Sequence, residues 1–199
     1  RANFSIPGGP AVDAALFSFG RPREARLLLA TPVAPNRPYV LQWQNLSDCS
    51  GNMTGGLQQA VFVLPVAGQP GDLHLSEILF NPPPGGTDFL ELYNGSENYL
   101  DLRHWAVAGR NSSAPAPLTE SSYVLPPGGF VVLTGEPELL KQQYPALPDS
   151  LLLQTELPAF PDEEGEARLL APGDGLAEAF AYHEDQHFAL IDNAEAVSL

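Results

Sequence analysis

Short runs of residues that alternate between apolar and polar side chains follow one another along most of the chain. Residues 39–43 (YVLQW) are typical, and this two-residue period indicates a β-strand because successive side chains of a strand point to opposite faces. We predict further strands over residues 14–19, 25–30, 61–64, 73–80, 89–93, 100–108, 124–125, 130–134, 151–154, 166–171 and 176–182. Only residues 136–144 favour a helix, since Pro137 suits a first helical turn and Pro145 ends the helix.

Turn-forming residues separate the predicted strands, as in residues 81–86 (NPPPGG), the pair Asn94-Gly95 and residues 126–129 (PPGG). Gly accepts positive φ angles and Pro fixes φ, so such clusters favour turns. The 199 residues include 18 Gly and 21 Pro, and 44% are hydrophobic, which is enough to form a core. Many short strands joined by Gly and Pro turns predict an all-β fold, either a sandwich or a barrel.

The formal net charge of −15 is distributed unevenly along the chain. Residues 1–70 hold five basic and three acidic residues (+2), whereas residues 71–199 hold four basic and 21 acidic residues (−17). This asymmetry predicts two domains, and a Pro- and Gly-rich stretch between them predicts a linker. We place the first domain at residues 1–66, the linker at 67–72 and the second domain at 73–199.

Composition excludes several classes of function. A strongly acidic chain repels the phosphates of nucleic acids and the headgroups of anionic membranes. No run approaches the roughly 18 consecutive apolar residues of a transmembrane helix. The single cysteine, Cys49, excludes an internal disulfide and a zinc cluster of thiolates from one chain. The first residues lack the pattern of a signal peptide, and we expect both ends to continue in a longer protein.

Four motifs of the second part occur in the order of a known family. They are residues 73–82 (LHLSEILFNP), 88–94 (DFLELYN), 100–105 (LDLRHW) and 125–130 (LPPGGF). Together they resemble the lamin tail domain. In that family an Asn-Glu-Ile strand with an Asn-Pro turn precedes a Phe-x-Glu-Leu-Tyr-Asn strand, an Asp-Leu-x-x-Trp segment and a Leu-Pro-x-Gly-Gly strand. Ser76 stands where the family usually has Asn.

The last residues resemble the bacterial branch of the same family, which ends in Tyr-x-x-x-x-His and a Gly-Val-Ser-Leu strand. Tyr182 and His187 have this spacing, and residues 196–199 (AVSL) match the final strand with Ala in place of Gly. The resemblance covers about residues 71–199 and implies an immunoglobulin-like β-sandwich in which Trp105 is the buried Trp of the family. It also implies a module without catalysis, found in nuclear lamins and in bacterial secreted or surface proteins.

The first part is similar to the second half of a bacterial immunoglobulin-like domain of the S-layer type. Residues 37–41 (RPYVL) and 45–52 (NLSDCSGN) carry this resemblance, which includes an Asp-x-x-Gly-Asn turn. A seven-stranded domain of this kind needs about 100 residues. The resemblance therefore implies a smaller, truncated β domain whose first strands lie upstream of Arg1.

Residues 183–187 (HEDQH) match the zincin motif His-Glu-x-x-His. On a helix, His183 and His187 would face one zinc ion and Glu184 would act as a general base, so a zinc metallohydrolase is one alternative function. Against it, zinc requires a third protein ligand, and only 12 residues follow His187. Residues 177–182 also have a two-residue period, and the family resemblance implies a strand and a turn here. We therefore expect a surface turn with His187 as a structural residue.

Glu77, Asp88 and Glu91 lie on or beside neighbouring predicted strands, and carboxylate oxygens are ligands that Ca²⁺ prefers. A calcium-stabilised adhesin is therefore a second alternative. The same side chains could equally accept hydrogen bonds from backbone N–H groups or face solvent. The acidic run at residues 162–166 (DEEGE) predicts a solvated hairpin tip.

Aromatic residues and the cysteine were weighed as further candidates. Trp43, Tyr93 and Trp105 could form a stacking surface for a sugar, although aromatic residues at strand positions are more often part of a core. Cys49 lies in a predicted turn, in a domain without histidine, so no residue there would activate it as a nucleophile.

We therefore expect a non-catalytic structural or interaction module of a secreted or cell-surface bacterial protein. It would space or dock neighbouring domains, or bind a protein or glycan partner. No residue is assigned a catalytic, cofactor-binding or metal-binding role, and neither nucleic acid nor membrane insertion is expected. In a sandwich the exposed loops and edge strands are where a partner would bind.

Overall fold

The alternating runs form strands in the structure, a computed structural model that describes residues 3–17, 24–48, 50–112, 114–186 and 197–199. The chain is mostly β, as predicted, and it divides into two compact units, Arg1–Pro65 and Val66–Leu199. Among the described residues, no helix has the length and apolar character needed to span a membrane.

The described strands of the first unit form two small antiparallel sheets. The strands are β1 (Phe4–Ser5), β2 (Val12–Phe17), β3 (Ala25–Leu29), β4 (Tyr39–Trp43) and β5 (Gln58–Phe62). β4 lies between β1 and β5 in one sheet, and β2 pairs with β3 in the other. Ile6 and Tyr39 are buried, and the ring of Tyr39 stacks on that of Phe62 with centroids 5.6 Å apart. This unit therefore contains a small apolar centre.

The described residues of the second unit form a sandwich of two four-stranded sheets with one α-helix. Its strands are β6 (Leu73–Leu79), β7 (Phe89–Asn94), β8 (Leu100–Asp101), β9 (Ala106–Gly109), β10 (Ala116–Pro117), β11 (Val124–Leu125), β12 (Phe130–Thr134), β13 (Leu152–Gln154), β14 (Glu164–Ala171) and β15 (Gly175–His183). The first sheet has the order β13-β12-β7-β6 and the second β10-β9-β14-β15, while β8 pairs with β11. β12 and β13 are parallel, and the other pairs are antiparallel.

Alternate residues of both sheets meet in the core of the sandwich. Leu90 and Leu92 of β7 face inward with Val131 and Leu133 of β12, and Leu169 comes from the opposite sheet. The full set of buried hydrophobic residues in this core also includes Leu73, Ile78, Phe80, Leu100, Leu102, Trp105, Val107, Leu118, Leu125, Phe160, Ala167, Ala171 and Tyr182. Burial of this apolar surface is the main favourable contribution to the folding of the second unit.

The segment 67–72, expected as a linker, lies inside the second unit. Val66 donates its N–H to the carbonyl of Tyr99 (2.9 Å) and accepts the N–H of Asp101 (2.7 Å). The indole N–H of Trp105 donates to the carbonyl of Ala67 at 2.7 Å. Gly68 has φ +80°, and a Cβ there would lie 3.0 Å from both Leu100 and Trp105. The Pro and Gly residues thus form a turn fixed against the core, and the units divide between Pro65 and Val66.

Residues 100–108, predicted as one strand, are divided by a 3₁₀ helix at Leu102–His104. Asp101 caps this turn, since its Oδ1 accepts the N–H of Arg103 at 3.1 Å. The prediction of one strand was wrong because a local side-chain hydrogen bond of this kind competes with strand pairing. The turn brings Trp105 into the core, as the resemblance implied.

The predicted helix is present as α1 (Pro137–Gln143). Its Leu140 is fully buried against Leu79, Phe89 and Val132, which point outward from the first sheet. α1 therefore covers part of the outer face of that sheet, and the rest of the face carries His74, Tyr93 and Phe130 at paired positions on three neighbouring strands.

The free edge of β6 is closed at two places. Ile78 and Leu199 exchange both backbone hydrogen bonds at 2.9 Å, so residues 197–199 extend the first sheet. Near the other end of the strand, Oε2 of Glu178 on β15 accepts the N–H of Leu75 at 3.0 Å. The sandwich therefore leaves few unpaired backbone groups on this strand, where an open edge would invite pairing with another chain.

Candidate functional site

The zincin motif lies where β15 ends. His183 is the last residue of the strand, and Glu184–Gln186 form one turn of 3₁₀ helix. Nδ1 of His183 accepts the N–H of Asp185 at 3.2 Å, so this ring nitrogen has a partner within the turn. The α-helix that would place the motif on one face is not present over residues 183–186, and His187 lies outside the described residues.

The structure separates the three carboxylates weighed as calcium ligands. Glu77 and Glu91 are direct cross-strand partners on the outer face of the first sheet. Asp88 directly precedes Phe89, which shares the outer face with Glu91, so its side chain points to the opposite side. Among the described residues no group of three His, Cys, Asp or Glu side chains is arranged to hold a metal ion.

Asp88 lies in a different environment from the two glutamates. Burial raises the pKa of its carboxyl to about 6, and the negative charge of Asp162 adds to the shift. Tyr182 is close by, since the charge of Asp88 contributes to the raised pKa of its phenol after burial, the larger cause. The hydroxyl of Tyr182 donates to the carbonyl of Pro161 at 3.2 Å. This hydrogen bond joins the end of β15 to the segment that precedes the acidic run 162–166.

The acidic run 162–166 leads into β14 and is not the tip of a hairpin, because the β14–β15 turn lies at residues 172–174. The run lines an open cleft of about 850 Å³ together with Arg110. Nη1 of Arg110 lies 3.1 Å from Oε1 of Glu164, and Arg168 donates to both carboxylate oxygens of Glu166. Solvent exposure was predicted correctly for residues 162–164, whereas Gly165 is buried and Glu166 is half-buried in β14, and two charges of the run are already paired.

A second cavity, of about 340 Å³, opens on the outer face of the first sheet beside α1. Its floor is apolar and consists of Phe89, Val132 and Leu140. β7 and β12 position Phe89 and Val132, and α1 positions Leu140. Glu77 and Glu91 come from β6 and β7, while Tyr144 and residues 146–148 line the cavity from the end of α1 and the loop beyond. We call this space the outer cavity; it combines an apolar floor with two carboxylates.

The two carboxylates of the outer cavity are hydrogen-bonded to hydroxyl groups. Oε1 of Glu91 accepts the hydroxyl of Ser76 at 2.9 Å, and Oε1 of Glu77 accepts the hydroxyl of Ser198. No ion pair among the described residues involves either glutamate. Like charges directly opposite each other on neighbouring strands destabilise a sheet, so this pair is an unfavourable feature without a cation.

Tyr144 completes the outer cavity. Its ring meets that of Phe89 edge to face, with centroids 5.9 Å apart, and the residue is 37% exposed. Burial raises the pKa of its phenol, and the negative charge of Glu77 raises it further. The aromatic ring and the carboxylates therefore lie close enough to act on the same ligand.

Beside the outer cavity, Tyr93 and Phe130 form a second aromatic pair on the same face. Their centroids are 4.7 Å apart, and Phe130 is 40% exposed. The sugar-stacking hypothesis joined Tyr93 to Trp43 and Trp105. Trp105 is fully buried in the core, and Trp43 belongs to the first unit. Cys49 lies outside the described residues.

Sequence reasoning identified Glu77 and Glu91 but missed Tyr144, Phe130 and the apolar floor. Phe130 follows a Pro-Pro-Gly-Gly turn at the start of a predicted strand, a position from which an exposed aromatic could have been inferred. Tyr144 gave no such signal, because its place depends on the way α1 lies across the sheet. Comparison with known proteins adds no further residue: no protein-family model, no curated protein and no solved structure matches the chain.

Proposed function

We propose that this chain is a non-catalytic interaction module of a secreted or cell-surface bacterial protein. In this proposal the second unit is an immunoglobulin-like sandwich of the lamin tail type, and the first unit is a smaller, truncated immunoglobulin-like domain. The module spaces or docks neighbouring domains and binds a protein or glycan partner through an exposed face of the second unit.

Contacts between the family motifs support the proposed kind of sandwich. Asn94, the last residue of the 88–94 motif, is fully buried, and its side-chain amide donates to the carbonyls of Leu125 (3.0 Å) and Pro126 (2.9 Å). Its backbone N–H donates to the carbonyl of Gly129 at 2.9 Å. Two of the motifs on which the resemblance rests, residues 88–94 and 125–130, are therefore joined by hydrogen bonds. These contacts are a structural reason for both motifs to occur in one chain.

The observation that carries the binding role is the uncovered part of the outer sheet face. Phe130 exposes 40% of its surface there and lies against Tyr93, while α1 covers another part of the face. Exposed aromatic residues are enriched at protein interfaces and at sugar-binding surfaces, because they bury a large apolar area with few rotatable bonds. Next to them stand the two carboxylates of the outer cavity.

The charge of the second part restricts the class of partner. With −17 on residues 71–199, the module repels nucleic acids and anionic lipid surfaces. A neutral glycan or a protein surface with basic residues is compatible with this negative charge. The association of animal lamin tails with chromatin is for this reason not carried over to the chain.

Photo-crosslinking tests the proposed binding face. A photoreactive phenylalanine analogue at position 130 keeps the aromatic ring, and the same analogue at Leu176, which is 59% exposed on β15, serves as the control. In intact cells of the source organism, we expect one discrete crosslinked product from position 130 and none from position 176. Equal labelling at both positions, or none at either, would contradict the proposal.

Metal analysis tests the non-catalytic character. The alternative, a zinc metallohydrolase, requires stoichiometric zinc in the purified protein and peptidase activity, both lost in His187→Ala. We expect neither, and their joint observation would overturn the proposed function.

A further inference from the structure

We infer that the outer cavity binds a lysine or arginine side chain of a partner polypeptide, with the cation held by Glu77 and Glu91. This inference rests on the proposed interaction function and specifies its chemistry. The juxtaposition that carries it is a pair of opposed carboxylates above an apolar floor with an aromatic ring at its side.

The first argument is the missing counter-charge. Glu77 and Glu91 are direct cross-strand partners, and neither belongs to an ion pair among the described residues. Two basic side chains on elements beside the cavity have other partners: Lys141 on α1 pairs with Asp149, and Nδ1 of His74 on β6 lies 3.4 Å from Oε2 of Glu178. A cation supplied from outside would convert a repulsive pair into an attractive site.

The second argument is the shape and polarity of the floor. Phe89, Val132 and Leu140 are buried side chains that line about 340 Å³ of open space. Lysine and arginine carry three or four methylene groups, which lie favourably on apolar surface while the charged end reaches a polar group. A small hydrated cation would leave this floor uncovered. The cavity therefore matches a long side chain with a terminal charge.

The third argument is the ring of Tyr144. The ring of Tyr144 packs edge to face against the ring of Phe89, which fixes its position. Tyr144 remains 37% exposed to solvent. A cation near the face of an aromatic ring is attracted by the negative charge of the π-system. The carboxylates and the aromatic ring both favour a cation. An anionic or neutral side chain would gain neither interaction.

The chemistry does not suit a metal ion. Ca²⁺ prefers six to eight oxygen ligands, and Mg²⁺ prefers an octahedron. The outer cavity offers two carboxylates, and the described residues hold no group of three potential metal-binding side chains. The adjacent pair of Tyr93 and Phe130 provides contact surface for the remainder of a polypeptide, so the basic group belongs to a protein and not to a free amine.

NMR titration of the full chain tests the inference. The probes are four blocked five-residue peptides that differ at the central residue: lysine, arginine, norleucine or glutamate, with glycine elsewhere. We expect the lysine and arginine peptides to shift the methyl signals of Val132 and Leu140, and the uncharged norleucine peptide to bind about 10-fold more weakly. Glutamate should produce no shift. Equal binding of norleucine and lysine would overturn the inference, because the carboxylates would then contribute nothing.

Matched variants separate the site from the general negative charge. The double variant Glu77→Gln and Glu91→Gln should weaken lysine-peptide binding about 10-fold or more. Glu120→Gln with Glu156→Gln removes the same charge from exposed positions outside the cavity and should leave binding within about 2-fold, because exposed charges are screened. Equal losses in both double variants would contradict a specific site. Unchanged unfolding midpoints show that the variants are folded.

Substitution of the aromatic ring gives an independent readout. Tyr144→Phe keeps the ring and should bind the lysine peptide normally, whereas Tyr144→Ala should bind it several-fold more weakly. The two proposals can fail separately. Crosslinking at position 130 without binding of the basic peptides would refute the basic-residue site alone, and peptide binding without a crosslinked partner would refute the proposed interaction face alone.

Discussion

The two units are built from the same alternating pattern, yet they bury their side chains to very different extents. Of the 25 buried hydrophobic residues in the described part of the chain, only Ile6 and Tyr39 belong to the first unit. Several large hydrophobic residues of that unit are exposed instead: Leu16, Leu28, Met53, Leu57, Val61 and Leu64. Alternation is therefore sufficient to form strands and insufficient to form a core.

The difference follows from the number of strands that can cover one another. Two four-stranded sheets stack in the second unit, so the inward residues of each sheet meet those of the other. In the first unit the described sheets have three and two strands, and four of the five residues of β5 are exposed. Small sheets have too little area to exclude water from both faces. The following predictions sharpen this comparison.

The largest expected effect concerns Trp105, which is fully buried and donates to the carbonyl of Ala67. Trp105→Ala should lower the free energy of unfolding of the second unit by about 3–5 kcal/mol, because it leaves a cavity and an unpaired carbonyl. Chemical denaturation followed by far-ultraviolet circular dichroism measures this loss. A loss below about 1 kcal/mol would mean that Trp105 is not central to the core.

Asn94 tests the polar part of the same core. The two N–H groups of its amide are shared among three carbonyls, those of Asn98, Leu125 and Pro126, and the residue is inaccessible to solvent. Asn94→Ala should cost about 2–3 kcal/mol, because buried carbonyls lose their donors. In the first unit, exposed Asn52 donates to Asp48 at 2.7 Å, and Asn52→Ala should cost about 0.5 kcal/mol. Similar losses in the two variants would contradict the contrast between the units.

Two aspartates should give opposite dependences of stability on pH. The pKa of Asp88 is raised from 3.8 to about 6 by burial and by Asp162, so the folded state holds this proton more tightly than the unfolded state. Its contribution to stability is therefore complete below pH 3.8 and is lost as the pH rises through about 6. The pKa of Asp48 is lowered, mainly by the side-chain hydrogen bond from Asn52. Its contribution is present above pH 3.8 and is lost as the pH falls.

Unfolding at about pH 4 and pH 7 measures this contrast. Relative to the unsubstituted protein, Asp88→Asn should be more stable at pH 7 than at pH 4 by about 1 kcal/mol, a value reduced for the partial exposure of the carboxyl. Asp48→Asn should show the opposite trend, and for this variant the lower measurement is made at about pH 3, because the contribution of Asp48 is lost only below its ordinary pKa of 3.8. Parallel curves for the two variants would mean that burial does not distinguish the carboxyls.

The smallest effect is expected at Val61, which is 72% exposed on β5. Val61→Thr keeps the branched side chain and should change the stability of the first unit by less than about 0.5 kcal/mol. The fluorescence of Trp43 reports on this unit in a Trp105→Phe background, because the chain has two tryptophans. A larger loss would show that a surface not evident in the structure covers β5.

Much of the fold followed from local pattern. The strands, helix α1 and the Pro-Gly turns are short-range features, and their side-chain period or backbone restrictions are visible in the sequence. Segment 100–105 was less predictable, because the capping contact of Asp101 competes with a strand pattern. The contact between segment 67–72 and the core was also not predictable from the sequence, because it depends on a hydrogen bond between Trp105 and Ala67, which are 38 positions apart.

The candidate site shows most clearly what the tertiary structure decided. From the sequence alone, Glu77 and Glu91 are two carboxylates on neighbouring strands. The two-residue period of each strand does not say which residues of the two strands are cross-strand partners. A bulge between Leu75 and Glu77 shifts the register, so that Glu77 and not Ser76 is the partner of Glu91. One extra residue reverses the face to which the following side chains point. The sequence thus determined strands, turns and charge, whereas register and the position of α1 decided that two acidic groups share an apolar cavity.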